Sequence, residues 1–531
     1  MLDEPVPDFN RRDLASLGEP PQRWADRLWR MPKTFARALA QTANLPLPVW
    51  IAVASVSAAL ILYSQTLAYF GDEGFHLLAS QLVLSGKRPY LDFFYQHPPM
   101  FIYLNAAWML VFGDTWRSAH LFAALCTAVC VFLVARFVFG NAPQGLRRAQ
   151  MALAAALLVG LHRLVLGFGT IAFPYALCLL LTTGAFLLVV RGVTRPGGRL
   201  PFWGGLCAGA ALCSSFLVAA TAVVLFAWLV LRNRAGSVAT KAAMFIAGGA
   251  VGLLPVFALL AQAPRVVFFD LVEYHVSHRG CTGHHLRAWV RCFLFYGETR
   301  VLLVLALVGI WFLARSHPGT RRTDAFYLCA CLVAGNSLYL LFVHNLFEFY
   351  FSVLIPFLGV CACLSLGALA SDARLRWIGV ALSALALCAA WVRLPPGSLL
   401  GLGSLKEGSA WQRLERICGQ LQRVLPKEGD LYASEDVYFL MRRVPPPGME
   451  NRFGREVKMG AARAKSLRLV SEDQVKQWLK QGRFAAVVID PDSDGFAELG
   501  LANNYARSNT FYTYPGFGGS PLLVWIQREA R

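Results

Sequence analysis

The sequence predicts an α-helical polytopic membrane protein with about eleven transmembrane helices, accessory interfacial helices and a small C-terminal extracytoplasmic α/β domain. Three observations carry that reading. The 531-residue chain is 56% hydrophobic, whereas ordinary globular chains hold roughly 45–50% apolar residues. Its mean hydropathy is +0.49, more apolar surface than one soluble core takes up. Charge-free stretches near the roughly 20 residues that cross a bilayer recur at 48–70, 118–139, 149–165, 170–190, 203–217, 218–231, 242–262, 296–315, 325–343, 350–370 and 376–394.

Lys and Arg set the orientation, because cytoplasmic loops retain positive charge. Arg27, Arg30, Lys33 and Arg37 precede the first span; later loops carry Arg147 and Arg148, then Arg191, Arg195 and Arg199, then Arg232, Arg234 and Lys241, then Arg315, Arg321 and Arg322, then Arg374 and Arg376. These ends are expected to face the cytoplasm. Residues 1–46 then form a cytoplasmic tail, too long and polar for a signal peptide. Residues 47–394 form the transmembrane domain with outer loops 71–117 and 263–295, and an odd number of spans leaves the C-terminal domain outside. The net charge of +19 lies largely in the cytoplasmic loops, so topology accounts for it and no nucleic-acid partner is implied. The apolar stretch Pro98–Gly113 is only 16 residues long and reads as an interfacial helix. So does 73–86, where Leu77, Leu78, Leu82 and Val83 oppose Ser80, Gln81 and Ser85.

Beyond a Pro- and Gly-rich linker at 395–404 the pattern becomes that of a soluble α/β domain, 405–531. A helix is expected at 409–424, with Trp411, Leu414, Ile417 and Leu421 on one face, and strands at 430–434, 485–490 and 521–527. Most of the 13 cysteines fall inside spans, where they act as small apolar residues. Cys281 and Cys292 share an outer loop and could pair. His275, His278, Cys281, His284 and His285 do not follow a structural-zinc spacing, and Asp490, Asp492 and Asp494 read as a solvated acidic loop. No metal or cofactor is indicated.

Asp72 and Glu73 follow directly on the charge-free run from Pro48 to Gly71. Adjacent carboxylates at a membrane face lose hydration and repel each other, an arrangement whose use is to accept a proton, bind a cation or orient a substrate.

The string Asp72-Glu73-Gly74-Phe75-His76, then Leu84-Ser85-Gly86-Lys87-Arg88-Pro89-Tyr90-Leu91-Asp92, then His97-Pro98-Pro99 and Phe112-Gly113 resembles the first outer loop of a family of membrane glycosyltransferases. These are the GT-C enzymes related to protein O-mannosyltransferases and lipid A aminoarabinose transferases. The resemblance implies the GT-C fold in the cytoplasmic (inner) membrane of a bacterium. It also implies inverting transfer of a sugar from a polyprenyl-phosphate donor to an acceptor glycan, lipid or protein on the outer face. On that reading Asp72 is the general base and Glu73 orients or holds charge. His97, Lys87, Arg88, Arg279 and Tyr350 are expected to meet the donor or its phosphate. Asp92, Tyr95, Glu273, His275, His344 and Glu348 are candidate substrate contacts.

The chain departs from the family pattern in three places. His97 stands where relatives often carry Lys, Gly169-Thr170-Ile171-Ala172-Phe173-Pro174 where many carry a further acid, and Ser214-Ser215 where they carry Thr-Lys. These departures leave an inactive scaffold as an alternative reading. A transporter or flippase of lipid-linked sugars is another, and would be expected to show repeated halves and ionisable groups at the midplane.

Overall fold

A computed structural model describes residues 45–142, 146–278, 285–295, 297–315, 321–343, 346–369, 409–489, 501–512 and 521–528. Helices dominate it. A chain in lipid must satisfy its backbone polar groups within each segment, and the long apolar runs accordingly become helices. Among the described residues five helices are long and apolar enough to span a bilayer: Leu47–Thr66, Trp116–Asn141, Pro174–Thr194, Thr323–Leu341 and Glu348–Gly367. Two bent pairs, Val238–Gly252 with Leu254–Gln262 at 57° and Leu286–Phe293 with Gly297–Ile310 at 81°, raise the number to seven. The predicted spans at 149–165, 203–217 and 218–231 are helical as Leu146–Gly160, Arg199–Leu212 and Ala219–Leu231, but each is shorter than a full crossing. The predicted span 376–394 and the linker 395–404 lie outside the described residues, as do Cys281 and the acidic loop at 490–494.

Glycine decides one helix contact. Arg199–Leu212 packs against Val238–Gly252 so closely that a Cβ on Gly205 would lie 1.9 Å from the Phe245 carbonyl oxygen, and one on Gly248 equally close to that of Phe202. Small residues at this spacing let helix backbones touch in lipid, where no hydrophobic drive brings helices together.

The helix Glu73–Leu84, expected to expose a polar face, is instead covered by protein. Nine of its residues are buried, from Glu73 through Ser80 and at Leu82. The Met100–Phe112 helix packs on one side of it and the Glu435–Met441 helix on another. Its predicted polar face is satisfied inside: the Ser80 hydroxyl donates to the His76 carbonyl at 2.8 Å and accepts from Asn105 Nδ2 at 3.0 Å. The same periodicity serves an interfacial helix and a helix sandwiched between layers, so the pattern alone does not separate them. Met100–Phe112, by contrast, leaves Leu110, Val111 and Phe112 exposed, an apolar face suited to lipid.

Among the described residues the C-terminal segment holds a four-stranded sheet. Its strands are β1 (Leu431–Tyr432), β2 (Ala486–Ile489), β3 (Tyr505–Tyr512) and β4 (Pro521–Gln527), ordered β1-β2-β4-β3. β1 and β2 run parallel, and β4 is antiparallel to both its neighbours. The preceding helix, Ala410–Val424, begins with a capping box between Ser409 and Gln412 and buries Trp411, Leu414, Ile417 and Leu421. β3 had no sequence signal: Arg507, Ser508 and Asn509 interrupt its alternation, and it is an edge strand with a register shift at Arg507/Asn509.

At Gly74 the C-terminal segment comes close to the first outer helix. A Cβ there would lie 1.6 Å from Asp436 Oδ1 and 2.6 Å from its Cγ. Gly74→Ala is therefore expected to destabilise this contact by about 1–3 kcal/mol through overpacking. The measurement is a lowered melting temperature of the detergent-solubilised protein together with faster proteolysis of the C-terminal segment.

Candidate active site

Asp72 and Glu73 open the same helix and meet opposite fates. Successive helical residues point about 100° apart, so one carboxylate turns into the protein and the other stays at the rim. Glu73 is fully buried. Its Oε1 accepts from the Phe70 backbone N–H at 3.2 Å and from Trp411 Nε1 at 2.5 Å; its Oε2 accepts from the Ala172 backbone N–H at 3.1 Å and faces His120 Nε2 at 2.8 Å. His120 Nδ1 lies 2.6 Å from the Ser64 carbonyl. Both ring nitrogens thus face oxygens, and the ring links the Glu73 carboxylate to the first span.

Asp72 occupies the N-cap position, where an aspartate normally bonds its own helix, yet its side chain makes no capping bond. The carboxylate instead pairs through Oδ1 with Arg452 Nη2, and it keeps 23% of its surface exposed. The Arg452 guanidinium lies 4.8 Å over the Phe453 ring. Phe453 meets Phe75 edge-on at 5.6 Å, and Phe75 stacks on His97 at 5.8 Å with the planes 7° apart. An aromatic rail thus joins Asp72 to His97.

Behind the rail lies a polar layer. His76 Nδ1 meets the Tyr95 hydroxyl at 2.8 Å, the Tyr95 backbone N–H donates to Asp270 Oδ2 at 3.2 Å, and the Tyr90 hydroxyl donates to the His97 carbonyl at 2.6 Å. His275 Nε2 donates to the Gln96 carbonyl at 2.7 Å, and Asn451 Nδ2 to Gln96 Oε1 at 2.8 Å. Burial holds His76 well below the usual imidazole range and pushes Asp270 well above the usual carboxylate range. Asp436, beside Gly74, is pushed well up by burial and then by the neighbouring charges of Glu435, Glu73 and Asp72.

This architecture has known counterparts. A family model described as Dolichyl-phosphate-mannose-protein mannosyltransferase matches residues 96–261. No curated protein matches the sequence. Among solved structures, ArnT from Cupriavidus metallidurans bound to undecaprenyl phosphate superposes with a TM-score of 0.57 at 15% identity, covering 90% of this chain and 98% of that one. Its apo form gives 0.57 at 14% identity, covering 90% and 97%. The chain has the GT-C glycosyltransferase fold.

Within the GT-C fold the remaining sequence candidates scatter. Tyr95, His97 and His275 join the layer just described. Tyr350 is buried within the aromatic cluster of Phe347, Phe349 and Tyr175, and Phe349 also packs on Phe70 at 5.3 Å, which brings residues 348–350 to the corner that precedes Asp72. Glu348 itself pairs with Arg291 at 3.0 Å, and Glu273 pairs with Arg463. Arg88 pairs with Asp92 at 3.2 Å on the surface. Asp92 lines a cleft of about 590 Å³ with Lys465, Arg468 and Gln474, whose lining includes neither Asp72 nor His97. Lys87 lies near buried Glu450 and opposes the rise in its pKa. Arg279 and His344 lie outside the described residues.

The sequence reading missed His120, Trp411, Arg452, Glu435 and Asp436. One signal was available for His120, an ionisable residue near the start of an apolar span. Trp411 read only as part of a hydrophobic face.

Three outcomes are expected here. Glu73→Ala leaves the His120 ring, an indole N–H and two backbone N–H groups without their partner. It should cost about 3–5 kcal/mol, read as loss of folded protein on size-exclusion chromatography, whereas Trp411→Phe keeps the ring and should cost about 1.5–3 kcal/mol. Glu450, 3% exposed, has its carboxyl pushed up to about 7 by burial, with Lys87 and Arg455 opposing. A raised carboxyl pKa favours the protonated folded state, so stability is full below the unfolded value near 4.5 and falls as pH rises towards 7. Glu450→Gln should flatten the fall in melting temperature between about pH 5 and 7, and an unchanged slope would assign that fall to other groups.

Proposed function

We propose that this chain is an inverting glycosyltransferase of a bacterial cytoplasmic membrane. It moves a sugar from a polyprenyl-phosphate donor to an acceptor at the outer face, with Asp72 as general base. The observation that carries this reading is Asp72 itself: a carboxylate at an N-cap that makes no cap, held at the rim of a buried network that fixes its neighbour. In the reaction the acceptor hydroxyl oxygen bonds to the anomeric carbon as Asp72 takes its proton, and the bond from that carbon to the phosphate oxygen breaks on the opposite face. The departing phosphate monoester gathers negative charge and needs cations or N–H donors. Glu73, saturated by four donors, is a positioning residue.

The fold supports the donor class, since the similar ArnT structure is bound to undecaprenyl phosphate. A donor of that kind has its phosphate at headgroup level and its tail in lipid. Residues at the mouth of the first span, beside the lipid-facing Met100–Phe112 helix, suit that depth. His97 and Tyr350 remain the proposed donor contacts, with Arg279 and His344 as further candidates. Arg88, Asp92, Glu273 and Glu348 are engaged in ion pairs, and their proposed roles require those pairs to open.

Asp72→Asn should lower transfer by 10²–10⁴-fold while membrane insertion and melting temperature stay near wild type. Mass analysis of lipid-linked sugars and envelope glycans from cells carrying wild type, Asp72→Asn or no protein is the measurement. Envelope glycans that depend on the protein but not on Asp72 would count against Asp72 as the base and leave transport or scaffolding as alternatives. Because the base must be ionised, wild-type activity should also fall once acidification protonates it.

A further inference from the structure

We propose that Arg452 is a shared cation: it pairs with Asp72 as the structure shows, and passes to the phosphate of the polyprenyl carrier when the donor binds, freeing Asp72. This inference rests on the proposed function and adds to it a phosphate ligand contributed by the C-terminal segment.

The need for such a ligand follows from what the other cations are doing. Arg88 is tied to Asp92 through its backbone N–H and its side chain. Lys87 lies towards Glu450. Arg455 is 2% exposed, with its guanidinium on the Ala433 carbonyl at 3.1 Å and on Glu435 Oε1 at 3.2 Å. His97 is an imidazole, a weaker anion partner than a fixed cation. Arg452 alone among these combines a permanent charge, contact with Asp72 and a side chain that is 32% exposed.

Its backbone is anchored within the protein, while its side chain is 32% exposed. The Arg452 backbone N–H donates to Glu435 Oε1, and the short helix Arg452–Arg455 is capped by Asn451, whose Oδ1 accepts from the Phe453 N–H at 3.0 Å. The head rests on the face of Phe453, a surface along which a planar guanidinium slides without losing its cation–π attraction. That surface leads through Phe75 to His97. A guanidinium offers five N–H donors, so it can engage a phosphate in a bidentate pair, a stronger partner than one carboxylate oxygen.

Arg452 also lies in the field of Glu435, Glu456 and Asp436, and its pair with Asp72 is the one at the rim, with 32% and 23% of the two side chains exposed. A carboxylate released from a guanidinium is a better proton acceptor than one paired to it. The base is therefore unmasked by the donor it serves.

The test uses the full-length protein in nanodiscs, titrated with undecaprenyl phosphate and, as control, with undecaprenol. Arg452→Gln should raise the Kd for undecaprenyl phosphate at least tenfold, with Arg452→Lys recovering part of the loss. Asp72→Asn should lower that Kd about three- to tenfold by freeing the guanidinium, and undecaprenol should bind all variants alike. If Arg452 only docks the C-terminal segment, Arg452→Gln and Asp72→Asn break the same ion pair and shift binding in the same direction, or not at all. Either result overturns the proposal. Wild-type protein that fails to distinguish undecaprenyl phosphate from undecaprenol would overturn the donor assignment and this inference with it. Retained transfer in Asp72→Asn would overturn the base assignment alone.

Discussion

The buried carboxylate of Glu73 is the constraint on which the site depends. Its four donors come from the end of the first span, the start of the second long helix, the loop before Pro174 and the C-terminal helix at Trp411. A buried charge is tolerated only where its hydrogen bonds are complete, so these four stretches must arrive together or the carboxylate stands unpaired. The His120 ring carries the constraint further by binding the Ser64 carbonyl. Helix bundle and C-terminal segment are thereby locked around one residue.

That lock sets Asp72. With Glu73 turned inward, helix geometry leaves its neighbour at the rim, paired with a guanidinium. Two acids that look equivalent in sequence become a fixed anchor and an accessible base candidate. Gly74 completes the arrangement, because only a residue without a side chain lets the Glu435–Met441 helix approach closely enough to deliver Asp436, and Arg452 beyond it, to this corner.

Much of the fold was legible because its signals are local. An apolar run in lipid must close its hydrogen bonds within itself, so Leu47–Thr66, Trp116–Asn141 and Pro174–Thr194 follow closely from composition. The same holds for Ala410–Val424, whose 3.6-residue spacing and Ser409 cap are written in adjacent residues. β3 was not legible, since an edge strand needs only one satisfied side and tolerates Arg507 and Asn509. The Glu73–Leu84 helix was found, but its burial was misjudged because Ser80 finds its partners in His76 and Asn105 and not in water.

By itself the sequence determined that the chain is a mostly helical membrane protein with a small sheet near its C-terminal end, and that two acids stand at the mouth of the first span. Only the tertiary structure decided what those acids do, because their partners are remote in the chain: Trp411 lies 338 positions from Glu73, and Arg452 lies 380 from Asp72. Helix formation is driven by neighbours within one turn, whereas a charge is balanced by whatever folding brings within about 4 Å, and no local pattern encodes that.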